Sequence, residues 1–323
     1  MSMFTCKQIS PSLNMPDGRH VLPFLHGSRT SKEKVVVVMG ATGTGKSKLS
    51  IDVATRFSGE VVNSDKMQVY EGLDVITNKI SEEESCGVPH HLLGIIDANA
   101  DFTSTNFCNM ASLAMRSTVG RGQLPIIVGG SNSFIEALVD DEIHQFRSRY
   151  ECCFLWVDVS MPVLQRFVSD RVDQMVDNGM VNEARQMFSL DGDYSRGVKK
   201  SIGLPEFDHY FRAERFADLE TRKKLLKKAI DEVKKNTCKL ACRQVEKIHR
   251  LRTNKKWKIH RLDATDAFLK QGRRSDKAWD ELVAAPSRAI VSQFLSTFES
   301  KKYYMDTSVR GAAIETAMVT ATY

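Results

Sequence analysis

The regular pattern of hydrophobic positions starts at Lys34. Val35-Val36-Val37-Val38-Met39 is an unbroken, mostly β-branched apolar run bounded by Gly40. Such a run predicts a strand buried on both faces, as in a parallel sheet, rather than one side of an antiparallel sheet. A helix is predicted over 47–57 and a second strand over Glu60-Val61-Val62-Asn63. A further helix spans 104–121 and ends near Gly120 and Gly122. Pro125-Ile126-Ile127-Val128 is a third strand running into Gly129-Gly130, and Ser131 is expected to cap a helix reaching Val139. Phe154-Leu155-Trp156-Val157-Asp158-Val159 is a fourth strand, with Trp156 in the core. Strands alternating with helices predict the α/β class: a parallel sheet flanked by helices on both faces.

Beyond Ser160 the periodicity turns helical. Pro162 opens a helix to Asn178, with Gly179 as its C-terminal cap. A helix follows over 181–190, a loop over 192–203, and a long charged helix over 218–251. Trp257-Lys258-Ile259-His260-Arg261-Leu262 reads as a strand returning to the sheet, followed by helices to about residue 299. The expected organisation is a leader over 1–32, an α/β core over 33–160, a smaller, mainly helical lid or substrate portion over 161–250, and a return to the core over 251–323.

Composition narrows the classes. A chain of 323 residues, 42% hydrophobic and 27% charged, can build a full core, and is not disordered throughout. No apolar run approaches the ~20 residues of a membrane-spanning helix. Forty-six basic against 40 acidic residues give +6, which suits phosphate-bearing ligands without demanding nucleic acid. The seven cysteines are odd in number, with no C-x-x-C pair, and point to a reducing compartment. Cys238 and Cys242 lie one helical turn apart but lack zinc-finger company. The first 32 residues carry Lys7, Arg19, Arg29 and Lys32 against the single acid Asp17, with Pro11, Pro16 and Pro23. That composition fits either an organelle transit peptide or a flexible tail.

The chemistry begins at Gly40-Ala41-Thr42-Gly43-Thr44-Gly45-Lys46-Ser47, which fits G-x-x-x-x-G-K-[ST] between a predicted strand and helix. Glycines let backbone N–H groups curl around a phosphate, and the helix N-terminus adds its positive end. Lys46 supplies a point charge, and Ser47 can ligate Mg²⁺. The motif specifies a diphosphate or triphosphate but not the molecule that carries it. Thr77-Asn78-Lys79-Ile80-Ser81 has Ser81 where a guanine-reading N-K-x-D would have Asp. Phe154 to Asp158 loosely resembles the apolar run and acid that hold Mg²⁺ in ATPase motors. A small-molecule kinase and a non-catalytic nucleotide switch also remain open. Asp65 falls just beyond the second strand, where open α/β sheets bind ligands, and can hold Mg²⁺, accept a proton or simply cap a turn.

Seven ordered blocks together resemble the adenylate isopentenyltransferases that make cytokinins in plants, relatives of the tRNA dimethylallyltransferases. They are the P-loop; Asn63-Ser64-Asp65-Lys66-Met67-Gln68-Val69-Tyr70; Thr77-Asn78-Lys79; Val88-Pro89-His90-His91-Leu92-Leu93-Gly94; Pro125 through Ser133; Gly197 through Glu206, with Lys199 and Lys200; and Leu240-Ala241-Cys242-Arg243-Gln244. The plant adenylate branch is the nearest likeness. The resemblance implies a P-loop NTPase-like sheet whose loop holds the diphosphate of dimethylallyl diphosphate. The adenine N6 amine attacks C1 of the prenyl group and diphosphate leaves. Thr42 matches the threonine that bonds the bridging oxygen; Lys46, Arg243 and Ser47 with Mg²⁺ share the remaining charge. Asp65 matches the general base, which both orients N6 and takes its proton.

Weaker assignments follow. Ser64, Gln68, Asn132 and Ser133 touch adenine or ribose, or else satisfy backbone groups. Lys199 and Lys200 meet acceptor phosphates or are simply solvated. His90 and His91, in a loop, are expected to pack rather than bind metal. The implied partners are dimethylallyl diphosphate and ATP, ADP or AMP, with no membrane and no nucleic acid, and the implied location is the plastid, the cytoplasm being the alternative. The same chemistry on a tRNA adenosine is the alternative reading. The long helix carries many Lys and Arg residues, yet the interval 160–215 is short for an anticodon-gripping insertion and no C-terminal zinc finger follows.

Overall fold

In a computed structural model of the chain, which describes residues 32–296, six strands form one parallel sheet. They are β1 (Glu33–Met39), β2 (Gly59–Asn63), β3 (His90–His91), β4 (Leu124–Val128), β5 (Tyr150–Asp158) and β6 (Ile259–Asp263), in the order β3-β2-β4-β1-β5-β6. The leader expected over 1–32 lies, up to residue 31, outside the described residues, as does the chain beyond residue 296. The valine run sits beside the centre of the sheet, between β4 and β5. Its side chains alternate between two cores. Val35, Val37 and Met39 face one, and Val36 and Val38 the other, all fully buried. This is why the run has no polar alternate.

The helices of the first half are α1 (Lys46–Phe57), α2 (Glu82–Ser85), α3 (Ser104–Gly120), α4 (Asn132–Val139) and α5 (Phe146–Arg149). Those of the second are α6 (Met161–Asp177), α7 (Met180–Gln186), α8 (Asp208–Ala213), α9 (Leu219–Thr253), α10 (Thr265–Leu269) and α11 (Arg273–Trp279). The first core takes side chains from α3, α4 and α9; the second takes them from α1, α6 and the C-terminal helices. Helix α9 is 35 residues long and strongly charged, yet Ala229, Val233, Thr237, Ala241, Gln244, Ile248 and Leu251 form one buried stripe at three- and four-residue spacing. It packs along α6 and α4 and so walls the end of the sheet where β1, β2 and β4 stop.

Several local expectations change. β5 begins four residues earlier than predicted, because Tyr150 to Cys153 pair with Glu33 to Val36 and Lys34 bonds Glu151 at 2.8 Å. His90 and His91 form a short edge strand rather than a loop. The loop over 192–203 contains a 3₁₀ turn at Gly197–Lys200. Ser131 stands at the start of α4 without capping it; its Oγ instead accepts the Lys66 N–H at 2.9 Å. Asp158 carries no free carboxylate of the ATPase-motor kind. Its two oxygens accept Arg261 Nε at 2.7 Å and the Val159 N–H at 3.0 Å.

The edge of the sheet is pinned by one acid. Glu60, buried in β2, accepts from Arg121 at 3.0 and 2.5 Å, from Thr118 Oγ1 at 2.9 Å, and pairs with His91 Nε2 at 2.7 Å. The Arg121 guanidinium, with help from His91 and Thr118, holds the Glu60 carboxyl down at about 2 against the burial that would raise it. A carboxyl depressed in the folded state stabilises fully above its ordinary pKa of 4.5, and that contribution is lost as pH falls toward 2. Glu60→Gln is therefore expected to cost about 2 kcal/mol at neutral pH. It should also flatten the loss of stability between pH 5 and 2; a urea-unfolding series across that range checks both.

Candidate active site

The C-terminal ends of β1, β2 and β4 open into one cleft of about 800 Å³, walled on the other side by α6 and α9. The P-loop forms its floor. Gly43 and Gly45 adopt left-handed φ angles of 83° and 87°, so the chain can fold back before α1 starts at Lys46. Lys46 Nζ lies 2.6 Å from the Ala41 carbonyl and Thr44 Oγ1 3.0 Å from the same oxygen. The loop thus closes on itself, leaving two of the three Lys46 donor hydrogens for a ligand. Thr44 is buried and spent internally. Ser47 is exposed and lines the cleft at the first turn of α1.

Two side chains from the helical wall complete the floor. Gln244 of α9 accepts the Thr42 N–H at 2.7 Å and donates to the Gly130 carbonyl at 3.0 Å. A Cβ on residue 130 would sit 2.4 Å from Gln244 Nε2, so any residue larger than glycine there would displace the Gln244 amide. Arg171 of α6 donates to Thr42 Oγ1 at 2.8 Å, while its Nε is buried without a partner. A hydroxyl that accepts from a guanidinium has its own hydrogen left to give. Thr42 is thereby set up as a donor into the cleft.

Asp65 faces this cationic floor from the β2 side. Its backbone N–H donates to Asn63 Oδ1 at 3.0 Å, and its Oδ1 accepts the Met67 N–H at 3.0 Å. Asn63 is fixed in turn by donating to the Leu92 carbonyl at 2.9 Å. One carboxylate oxygen is thus held by the backbone, and Oδ2 remains for chemistry. Gln68, one turn on, donates through Nε2 to the Thr77 and Asn78 carbonyls at 3.1 and 2.8 Å. Two carbonyl partners dictate the amide orientation, so Oε1 is the free end and can only accept. The Thr77 loop is itself held by Glu183 of α7, whose oxygens accept the Val75 and Ile76 N–H groups at 3.1 and 2.7 Å.

The cleft is electrostatically poised for an anion. Burial pushes the Lys46 ammonium down to about 8; Asp65 opposes the shift and Arg171 adds to it. Burial also lowers Arg171, again opposed by Asp65. Both cations are partly desolvated, and among the described residues Asp65 is the carboxylate that acts on them in exchange. An incoming diphosphate supplies the missing counter-charge. The donor set also fits Mg²⁺. Ser47 offers a hydroxyl beside the P-loop, and among the described residues no cluster of three His, Cys, Asp or Glu forms a protein cage. That suits an ion that keeps waters and arrives with phosphate oxygens.

The predicted residues divide. Thr42, Gly43, Gly45, Lys46, Ser47, Asp65, Gln68 and Lys200 line the cleft. Gly40, Ala41 and Thr44 shape the loop from behind. Arg243 does not join them. It is exposed on α9, one turn from Leu240, and outside the cleft lining, because the inward face of the helix at that level presents Gln244. The guanidinium in the cleft is that of Arg171. Asn132 is buried off the cleft, its Nδ2 donating to the Gln244 carbonyl at 3.2 Å. Ser64 is fully buried, Ser133 is exposed, Lys199 is half-buried, and none of the three lines the cleft. Arg171 and Gln244 went unassigned in the sequence. The only signal for Arg171 was an arginine on a helix otherwise amphipathic, and for Gln244 its place beside Arg243 in a matching block.

The sheet order and the loop-to-Asp65 cleft define a P-loop NTPase-like α/β protein. The IPP transferase family model matches residues 68–148 and 141–250. The chain is 56% identical over 320 residues to adenylate isopentenyltransferase 3, chloroplastic, of Arabidopsis thaliana, covering 97% of this chain and 95% of that one. It is 49% identical to adenylate isopentenyltransferase 7, mitochondrial, of the same plant, over 91% and 89% of the two chains. With the adenylate isopentenyltransferase of Humulus lupulus it shares 45% identity over 80% and 89%. Among solved structures, a eukaryotic dimethylallyltransferase acting on tRNA superposes with a TM-score of 0.70 at 26% identity, over 82% of this chain and 80% of that one. The tRNA isopentenylpyrophosphate transferase of Bacillus halodurans gives 0.65 at 25%, over 83% and 100%. The chain belongs to the isopentenyltransferase family.

The depressed Lys46 has a measurable consequence. In the ligand-free protein its charge costs folding energy, so stability should rise with pH from about 8 to its ordinary value of 10.5. Diphosphate binding needs the charged form. The Lys46 contribution to pyrophosphate affinity, taken after correction for the ligand's own ionisation, should be flat below pH 8 and fall by up to about tenfold per pH unit above it. Calorimetry in buffers of different ionisation enthalpy should register proton uptake on binding near pH 8.

Proposed function

We propose that the chain transfers the dimethylallyl group of dimethylallyl diphosphate to N6 of a free adenine nucleotide and releases diphosphate, a step of cytokinin formation. The observation that carries this reading is that the P-loop and Asp65 line one cleft. A phosphate cradle alone would serve a switch or a kinase equally. The relatives named adenylate isopentenyltransferases, matching nearly the whole chain, support the same reading.

In this reading the diphosphate lies on the P-loop, and the prenyl C1 points toward Asp65. The C1–O bond breaks with its electron pair going to diphosphate, while N6 forms the new C–N bond and gives its proton to Asp65 Oδ2. The amine is a weak nucleophile because its lone pair is delocalised into the ring. Orientation and proton removal by one carboxylate address both difficulties. Charge grows on the leaving group, where the Thr42 hydroxyl and the partly desolvated Lys46 and Arg171 would meet it. Gln68 Oε1, able only to accept, suits the donor edge of adenine. Mg²⁺, held through Ser47, would neutralise part of the diphosphate charge when bound. Lys66 and Lys200 on the cleft rim would meet the outer phosphates of ADP or ATP and favour them over AMP. The basic, acid-poor leader, and the chloroplastic and mitochondrial labels of the relatives, support delivery to an organelle, which we assign to the plastid.

A transfer assay with Mg²⁺ and labelled dimethylallyl diphosphate, offered AMP, ADP, ATP and unmodified tRNA in parallel, tests the function. Label should enter free nucleotides, with ADP and ATP ahead of AMP. Label confined to tRNA would move the activity to RNA modification. Asp65→Ala should lower kcat by about 10²–10⁴ while leaving pyrophosphate affinity near normal. Retained turnover in that variant would remove the base assignment.

A further inference from the structure

Residues 273–296 form one continuous helix in which α11 passes through a π turn at Asp280–Ala284 before resuming α geometry. Trp279, the last residue of α11, is nearly buried and lines the cleft. Its ring stands where the Cβ of Gly45 would be: that position lies 2.5 Å from Cη2 and 2.8 Å from Cζ3. Lys48 Nζ lies 5.2 Å from the ring centroid and bonds Asp276, one turn before Trp279, at 3.3 Å. Past the π turn, Arg288 donates to Asp52 of α1 at 2.9 Å and to Asp280 at 2.5 Å. The helix is therefore fastened to α1 on both sides of Trp279.

The π turn makes the double fastening possible. Trp279 and Arg288 are nine residues apart, about two and a half turns of an α-helix, and would point in opposite directions. A turn closed by i→i+5 bonds takes up an extra residue and rotates the two toward one side. Such turns cost hydrogen-bond geometry and are concentrated at functional sites.

We infer that Trp279 is a positioning residue for the diphosphate-binding loop, an inference that rests on reading the P-loop as the diphosphate site. The ring fills the space that only glycine leaves open at position 45. It holds that residue in its left-handed conformation just before Lys46, and the amide cradle depends on that conformation. The C-terminal helix thus acts as a strap that sets the loop from outside the α/β core.

The test uses inorganic pyrophosphate with Mg²⁺ as the probe. Of the three tryptophans, Trp156 and Trp257 are buried away from the cleft, so a pyrophosphate-dependent change in emission should come from Trp279 and vanish in Trp279→Phe. Trp279→Ala should weaken pyrophosphate binding and raise the KM for dimethylallyl diphosphate about tenfold. Affinity for AMP should be unchanged, and Trp279→Phe, which keeps a ring against Gly45, should recover most of the loss. Should the alanine variant fail to fold, the emission change and the phenylalanine variant carry the test. Full emission change in Trp279→Phe, or wild-type pyrophosphate affinity in Trp279→Ala, would overturn the inference while leaving the diphosphate reading intact. Absence of pyrophosphate binding by the wild-type chain would overturn both.

Discussion

The arrangement depends on Gln244. Its side chain bridges the Thr42 N–H of the P-loop and the Gly130 carbonyl at the end of β4, and its own carbonyl receives Asn132 of α4. Two segments distant in sequence, the P-loop and the β4–α4 junction, are registered by one residue in the buried stripe of α9. The sheet already sets β4 between β1 and β2, and the bridge adds a tie on the cleft side that holds the P-loop itself to the end of β4. A prenyl transfer needs a fixed relation between loop and strand ends, because the leaving diphosphate and the attacking amine must flank one carbon, with the carboxylate we propose as base behind the amine. The bridge also uses the Thr42 amide, removing it from the donors open to a phosphate. The loop therefore presents the Thr42 hydroxyl rather than its N–H, and Arg171 fixes which way that hydroxyl donates.

Around this bridge the charges are left unbalanced. Lys46 and Arg171 are both partly desolvated and, among the described residues, share Asp65 as their counter-charge. In a folded core such an arrangement would be a defect, since buried cations without partners destabilise by several kcal/mol. In a cleft it is a means of differential binding. The more negative the bound group, the more of that cost is recovered, and the group is most negative when the C–O bond has broken. Asp65 moderates the effect. It is close enough to keep the cations charged but is tied through Oδ1 to the backbone, and so is not available to neutralise them with both oxygens.

Much of this was legible in the sequence, and the part that was not has a common cause. The valine run, the P-loop and the position of Asp65 beyond β2 are local patterns: each is set by neighbours within about ten residues. The helix ends near Pro162 and Gly179 were readable for the same reason. Arg171, Gln244 and Trp279 enter the cleft from three different helices, and nothing local distinguishes an arginine facing inward from one in water. Arg243 illustrates the point. It sits next to Gln244 in the matching block, yet one residue is about 100° of helix rotation. The stripe through Ala241, Gln244 and Ile248 turns it outward. Of the two readings open for Asn132, the structure shows the backbone one, its side chain donating to the Gln244 carbonyl of α9, while Ser64 is buried off the cleft with no side-chain partner among the described residues. The edge strand at His90–His91 was invisible because two residues carry no periodicity.

The division of labour between core and helices follows from this topology. The parallel sheet supplies two fixed points, the P-loop after β1 and the carboxylate after β2, separated by the β4 strand end that Gln244 grips. Those points depend on strands buried on both faces and have little freedom to vary. In the proposed function, what adapts them to a particular substrate comes from the helices and loops packed over that end. Arg171 adds charge, Gln68 is set by a loop that Glu183 of α7 anchors, and Trp279 backs the loop from the C-terminal strap. Structural relatives that act on tRNA share the sheet at only 25–26% identity. A fold of this kind can keep one prenyl-transfer chemistry at the strand ends while the helical cover changes what reaches it. In the function proposed here, acceptor choice falls to the cleft rim, including Lys66 in the turn after β2 and Lys200 in the 3₁₀ turn, and not to the P-loop.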